Sequence, residues 1–214
     1  MSNEDISKEI VKCIGITSPG PHAIFFVISL ASRFTTEEQA TALHFINMFG
    51  ENLMNFMITI FTYGDNLQKD ENIEQKLLEA PKPLQDLIKK CGNRYAVIDN
   101  KTSSKEVKKK QLGKLFTIIE QMFIENGEKF YTDEMYREAE KELQKRMEEL
   151  KKLDEKMTPV DLRRTVRNEV EEDKGILSYI GQGIYTFGKG MVTAAVEATG
   201  LPRLLNGLAS WFGN

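Results

Sequence analysis

The chain has 214 residues, 41% of them hydrophobic and 29% charged, with a formal net charge of −3; this is enough apolar material for a core, and the balance excludes the broad positive field of a nucleic-acid-binding protein. Cys13 and Cys91 lie far apart, and neither they nor His22 and His44 fall at metal-ligand spacing, so free thiols and a reducing, cytoplasmic setting are expected. The acidic start (Ser2-Asn3-Glu4-Asp5) is unlike a signal or transit peptide, and no uncharged apolar run reaches the roughly 18 residues of a spanning helix.

Residues 4–16 carry Ile6, Ile10, Val11 and Ile14 at helical spacing. Ser18-Pro19-Gly20-Pro21-His22 breaks that helix, and the apolar run Ala23 to Leu30 predicts a buried strand. Thr35 and Glu38 form a capping-box pair; the helix they open would bury Ala40, Leu43, Ile46, Met48 and Phe49 and end at Gly50. Phe56 to Thr62 is apolar or β-branched throughout, a second strand buried on both faces, and polarity switches abruptly at Tyr63-Gly64-Asp65. Helices follow over roughly 71–79 and 83–90, punctuated by Pro81 and Pro83. Tyr95 to Ile98 is the third strand, Asp99-Asn100-Lys101 its loop, and a helix from about Ser104 to Asn126 carries Val107, Leu112, Leu115, Ile118, Ile119, Met122 and Phe123 on one side.

Strands that alternate with helices build right-handed βα units and a parallel α/β sheet. The loops at 62–66 and 99–101 then leave the same sheet edge, where open α/β sheets bind ligands. A carboxylate at Asp65 could accept two parallel hydrogen bonds from the N1–H and 2-amino group of guanine. Adenine has an acceptor at N1 and no 2-amino group, and a site left with an unpaired buried polar group discriminates by roughly 10⁴ to 10⁵. By itself T-x-x-D at 62–65 fits an ordinary turn as well.

From about Tyr131 the composition changes. Residues 131–173 are dense in Glu, Lys and Arg, and Tyr136, Leu143, Leu150 and Met157 recur every seventh position, with Ala139 and Leu153 between them and Arg146 interrupting. This predicts a long charged helix, stopped or kinked at Pro159, that either packs back along the domain or self-associates through a coiled-coil-like seam. Gly175 to Gly188 carries no charge, and Leu201, Leu204, Leu205, Leu208, Trp211 and Phe212 form a last apolar stripe. Such a tail suits burial against protein or peripheral contact with an intracellular membrane. Gly183 to Gly190 fits G-x-x-x-x-G-K, but Gly190 stands where a phosphate loop needs Ser or Thr, and no strand precedes it.

Ser18-Pro19-Gly20-Pro21-His22-Ala23 running into a strand, then Arg33-Phe34-Thr35-Thr36-Glu37-Glu38 and Phe49-Gly50, resembles the conserved box of the immunity-associated GTPases, the GIMAP family. Phe61-Thr62-Tyr63-Gly64-Asp65-Asn66-Leu67 resembles that family's fourth guanine-nucleotide motif, and Asn93 to Lys101 its fifth, with Asp99 where the family more often has asparagine. The resemblance covers roughly residues 5–127. It implies GTP or GDP as ligand, with Asp65 reading the base edge, Thr62 holding the loop, Tyr63 covering a face of the base and Asn100 contacting it from the second loop.

In the family, the phosphate-binding loop, the magnesium-binding threonine and D-x-x-G precede the box. The chain is therefore expected to be a G domain truncated at its N-terminus (1–128), lacking phosphate and magnesium contacts, followed by a charged helical extension (129–174) and an apolar helical tail (175–214). No catalytic residue and no metal ligand is assigned. Two functional readings stand: a guanine-nucleotide-binding protein of immune defence, and a nucleotide-independent module that pairs with itself, with full-length relatives or with membranes.

Overall fold

The computed structural model describes residues 3–32, 34–35, 46, 49–67 and 72–191. Among them the chain forms two compact units. One combines residues 1–21 with 132–214, and the other runs from His22 to Tyr131.

The second unit holds the sheet. Strands β1 (Ile24–Ser29), β2 (Met57–Thr62) and β3 (Tyr95–Ile98) lie in sequence order, all parallel. This is the small parallel α/β sheet that the apolar runs imply. β2 is central, and Met57 to Phe61 are all buried because helices cover both faces. On one face Phe61 and Ile28 pack with Ile73 of α2 (Ile73–Glu79) and with Leu84 and Ile88 of α3 (Lys82–Lys90). On the other, Ile58, Ile60 and Ala96 pack with Leu115 and Met122 of α4 (Lys105–Glu125).

Local chemistry fixes the helix starts. Asn72 and Gln75 form a reciprocal capping box at α2, and Ser104 accepts a hydrogen bond from the Val107 N–H at α4. The helix expected after Thr35 lies largely outside the described residues, as does His44, although Ile46 and Phe49 are helical and Gly50 follows at φ 85°. Arg94, just before β3, donates to the carbonyls of Met54 (2.7 Å) and Met57 (3.3 Å), and so ties the entrance of β2 to that of β3. His22 packs edge-on to Phe123 and Phe130, a packing role. Cys91 is fully buried, and burial pushes its thiol up to about 11.

The other unit is helical: α1 (Asn3–Thr17), α5 (Glu134–Leu153), α6 (Pro159–Glu171) and α7 (Ile176–Met191). Val11 and Ile14 of α1, Ala139 and Leu143 of α5, Val166 and Val170 of α6, and Leu177, Ile180 and Ile184 of α7 are fully buried apolar side chains among its described residues. The upper part of the seven-residue seam therefore faces partners within the unit. The charged helix ends at Leu153, earlier than the heptad suggests, and Pro159 opens a new helix at its first turn, capped by Thr158. Arg146 does not simply interrupt the seam, because its guanidinium forms a bidentate pair with Glu169 of α6 (2.8 and 2.9 Å).

The G-x-x-x-x-G-K match lies inside α7 rather than between a strand and a helix, the wrong setting for a phosphate loop. No helix among the described residues is long and apolar enough to cross a membrane. The stripe from Leu201 to Phe212 lies outside the described residues.

Candidate functional site

β2 and β3 are paired in register, Thr62 opposite Ile98, so the loops that follow them leave the sheet side by side. Thr62 closes the strand against its other neighbour: its carbonyl accepts from the Leu30 N–H (3.0 Å), and its hydroxyl donates to the Ile28 carbonyl (3.3 Å). Tyr63 then takes a left-handed conformation (φ 58°, ψ 44°), uncommon for a residue with a side chain, and turns the chain into a single 3₁₀ turn, Gly64–Asn66. Its ring is left exposed.

Asp65 sits in this turn, and its Oδ2 lies 2.7 Å from the Nζ of Lys101 on the neighbouring loop. The same ammonium lies 5.4 Å from the centre of the Tyr63 ring, at cation–π distance. The hydrogen bond to Asp65 holds the Lys101 ammonium above the ordinary lysine range.

Asp99 acts on its own loop. Its Oδ1 accepts from the backbone N–H groups of Lys101 (2.8 Å) and Thr102 (3.0 Å), an Asx turn that leaves Asn100 exposed.

Thr62, Tyr63, Asp65 and Asn100, the four residues singled out from the sequence, thus occupy one sheet edge within two adjacent loops. Thr62 is built into the strand end, Tyr63 and Asp65 belong to the turn after it, and Asn100 is on the loop beside it. Lys101 is the member that sequence reasoning passed over. The available signal was a single cation ending the second loop, where register sets it against the one carboxylate of the first. Together these groups offer a carboxylate acceptor and an aromatic face to a planar ligand that brings hydrogen-bond donors on one edge.

The sequence model described as the AIG1 family matches residues 1–151, and so extends beyond the 5–127 of the motif resemblance to take in nearly all of α5. Immune-associated nucleotide-binding protein 9 of Arabidopsis thaliana is 35% identical over 172 residues, 79% of this chain and 48% of that protein. Immune-associated nucleotide-binding protein 8 of the same plant is 34% identical over 158 residues, 73% of this chain and 45% of the relative. Immune-associated nucleotide-binding protein 1 is 32% identical over 139 residues, 64% of this chain and 62% of its own length. The chain thus spans about half the length of the curated relatives it matches. With a match over residues 1–151 and these relatives, the chain belongs to the AIG1 family, the GIMAP-type group that its motifs resemble.

Proposed function

We propose that the β2–β3 edge binds the guanine base of GTP or GDP, and that the chain acts as a guanine-nucleotide-binding protein of the immunity-associated type. The observation that carries this reading is the placement of the Asp65 carboxylate beside the 99–101 loop at the carboxyl end of a parallel sheet. Asp65 accepts from N1–H and the 2-amino group, Tyr63 stacks on the base, Thr62 holds the turn to the sheet and Asn100 reaches the base from the second loop. The relatives' names, which contain "nucleotide-binding", support the ligand class.

The test is a titration of the chain with a fluorescent GDP and with a fluorescent ATP, repeated with Asp65→Ala. Saturable binding of GDP over ATP that is lost in the variant supports the reading; equal binding of both nucleotides, or none, sinks it.

A second reading, a nucleotide-independent module pairing with relatives or membranes, is favoured by one observation. Phe25 and Val27 of β1 are 47% and 58% exposed, an apolar pair on a strand whose alternate residues enter the core. Sedimentation of the nucleotide-free chain distinguishes the two: a stable dimer abolished by Val27→Lys favours this second reading, and a monomer at all concentrations removes self-pairing.

A further inference from the structure

Reading guanine takes both oxygens of the Asp65 carboxylate, one for N1–H and one for the 2-amino group. One of them is already engaged, since Oδ2 is 2.7 Å from Lys101 Nζ. The same ammonium is 5.4 Å from the Tyr63 ring centre, over the ring that the base-binding reading uses for stacking. A single side chain thus holds both contacts that a guanine base would make with the first loop.

We propose that Lys101 is a displaceable stand-in for the guanine edge, closing the base site in the free chain and swinging aside to admit the base. The inference rests on the base-binding reading above. It follows from the different anchoring of the two parts of Lys101. The backbone is fixed, because its N–H donates to Asp99 Oδ1 at 2.8 Å. The side chain is 65% exposed and held at its tip alone, so it can leave while the loop keeps its shape.

The replacement is also chemically matched. Lys101 presents donors to an anionic acceptor, and only a ligand that brings donors of its own compensates the carboxylate when the ammonium departs. Guanine does so with two N–H groups. Adenine would present the N1 lone pair to a carboxylate just stripped of its counter-ion. Lys101 therefore slows entry of the base, while the choice between guanine and adenine stays with the Asp65 carboxylate. Being an exposed pair, the contact weakens with salt.

The experiment has two arms on the full chain. In the first, the Lys101 ammonium is titrated by NMR in the nucleotide-free protein and in Asp65→Asn. A titration above the ordinary lysine range that falls back in the variant is expected. No difference between the two overturns the proposal without reference to any nucleotide. In the second, association of a fluorescent GDP is followed by stopped flow for the wild type and for Lys101→Met, which keeps the stem and removes the charge. The variant is expected to associate roughly two- to fivefold faster, with the gap closing as salt rises.

If the wild type binds GDP selectively and Lys101→Met associates equally fast or more slowly, the gate is wrong and the base site stands. If neither protein prefers GDP while the titration shows the pair intact, the base reading itself has failed, and the gate falls with it.

Discussion

Gly64 and Val97 approach so closely that a β-carbon added to the glycine would lie 2.8 Å from Val97 Cγ1, with the backbone of Ile98 and Asp99 at 3.3 Å. The missing side chain is what lets the turn after β2 lie against the end of β3. Gly64→Ala must push the two loops apart, because the methyl would run into the Val97 side chain and the 98–99 peptide of the neighbouring loop. A loss of about 1–3 kcal/mol in urea unfolding is expected, together with weaker GDP binding. An unchanged midpoint and unchanged affinity would show that the loops do not depend on this contact.

Asp65→Asn makes a chemical prediction more specific than loss. An amide keeps one oxygen for N1–H and replaces the other with a donor, which repels the guanine 2-amino group but suits the 2-carbonyl of xanthine. The variant is expected to lose roughly 10- to 100-fold in affinity for GDP, the value of a charged hydrogen bond, and to gain affinity for xanthosine diphosphate. Competition titrations with the two nucleotides measure both changes, and a variant that still favours GDP would take Asp65 out of the base site.

In the helical unit, Glu140 receives two hydrogen bonds from Arg163 (2.8 and 2.5 Å) and others from Ser18 and Gln144. Burial opposes its ionisation, but these hydrogen bonds outweigh burial, and its pKa lies below the ordinary 4.5. A carboxyl whose pKa is depressed on folding contributes stability that is complete above its unfolded value and disappears as pH falls through its folded one. Glu140→Gln is expected to cost about 1.5–3 kcal/mol near neutral pH and to flatten the loss of stability below pH 4.5. Denaturation series between pH 7 and pH 3 (approximate limits set around that transition) test it; parallel curves for the two proteins would remove Glu140 from the acid response.

Leu143 and Leu153 both belong to the α5 repeat, yet Leu143 is fully buried and Leu153 is 81% exposed. Leu143→Ala is expected to cost about 2–5 kcal/mol, and Leu153→Ala to stay within roughly 0.5 kcal/mol. Thermal unfolding separates the two cases. A large cost at Leu153 would mean that the seam continues into a second molecule.

These contrasts show where the sequence could be read and where it could not. The three strands were legible because each is a run of apolar residues preceded within three positions by Pro or Asn, and the order of strand and helix then placed both loops on one edge. The end of α5 was not, since Met157 keeps the seven-residue spacing from Leu150 after the backbone has left the helix at Leu153. A seven-residue repeat reports where apolar side chains recur, not whether the hydrogen-bond ladder persists. Thr158 capping α6, with Pro159 behind it, requires extended backbone just before.

Lys101 escaped notice because its partner is 36 positions away, and only the pairing of β2 with β3 brings them together. The α1 stripe announced one buried side without naming what buries it.

The partners of α1 arrive late. Thr17 shares a hydrogen bond with Tyr136, 119 positions downstream, and Ser18 with Glu140, 122 downstream. As the polypeptide leaves the ribosome, the sheet unit has all its strands before any of α5, α6 or α7 has been synthesised. Val11 and Ile14 must therefore wait, with their apolar surface uncovered, while the whole sheet unit is made. That interval is when a nascent-chain chaperone has the most to protect, and a ribosome stalled before α5 would leave α1 without a place to dock.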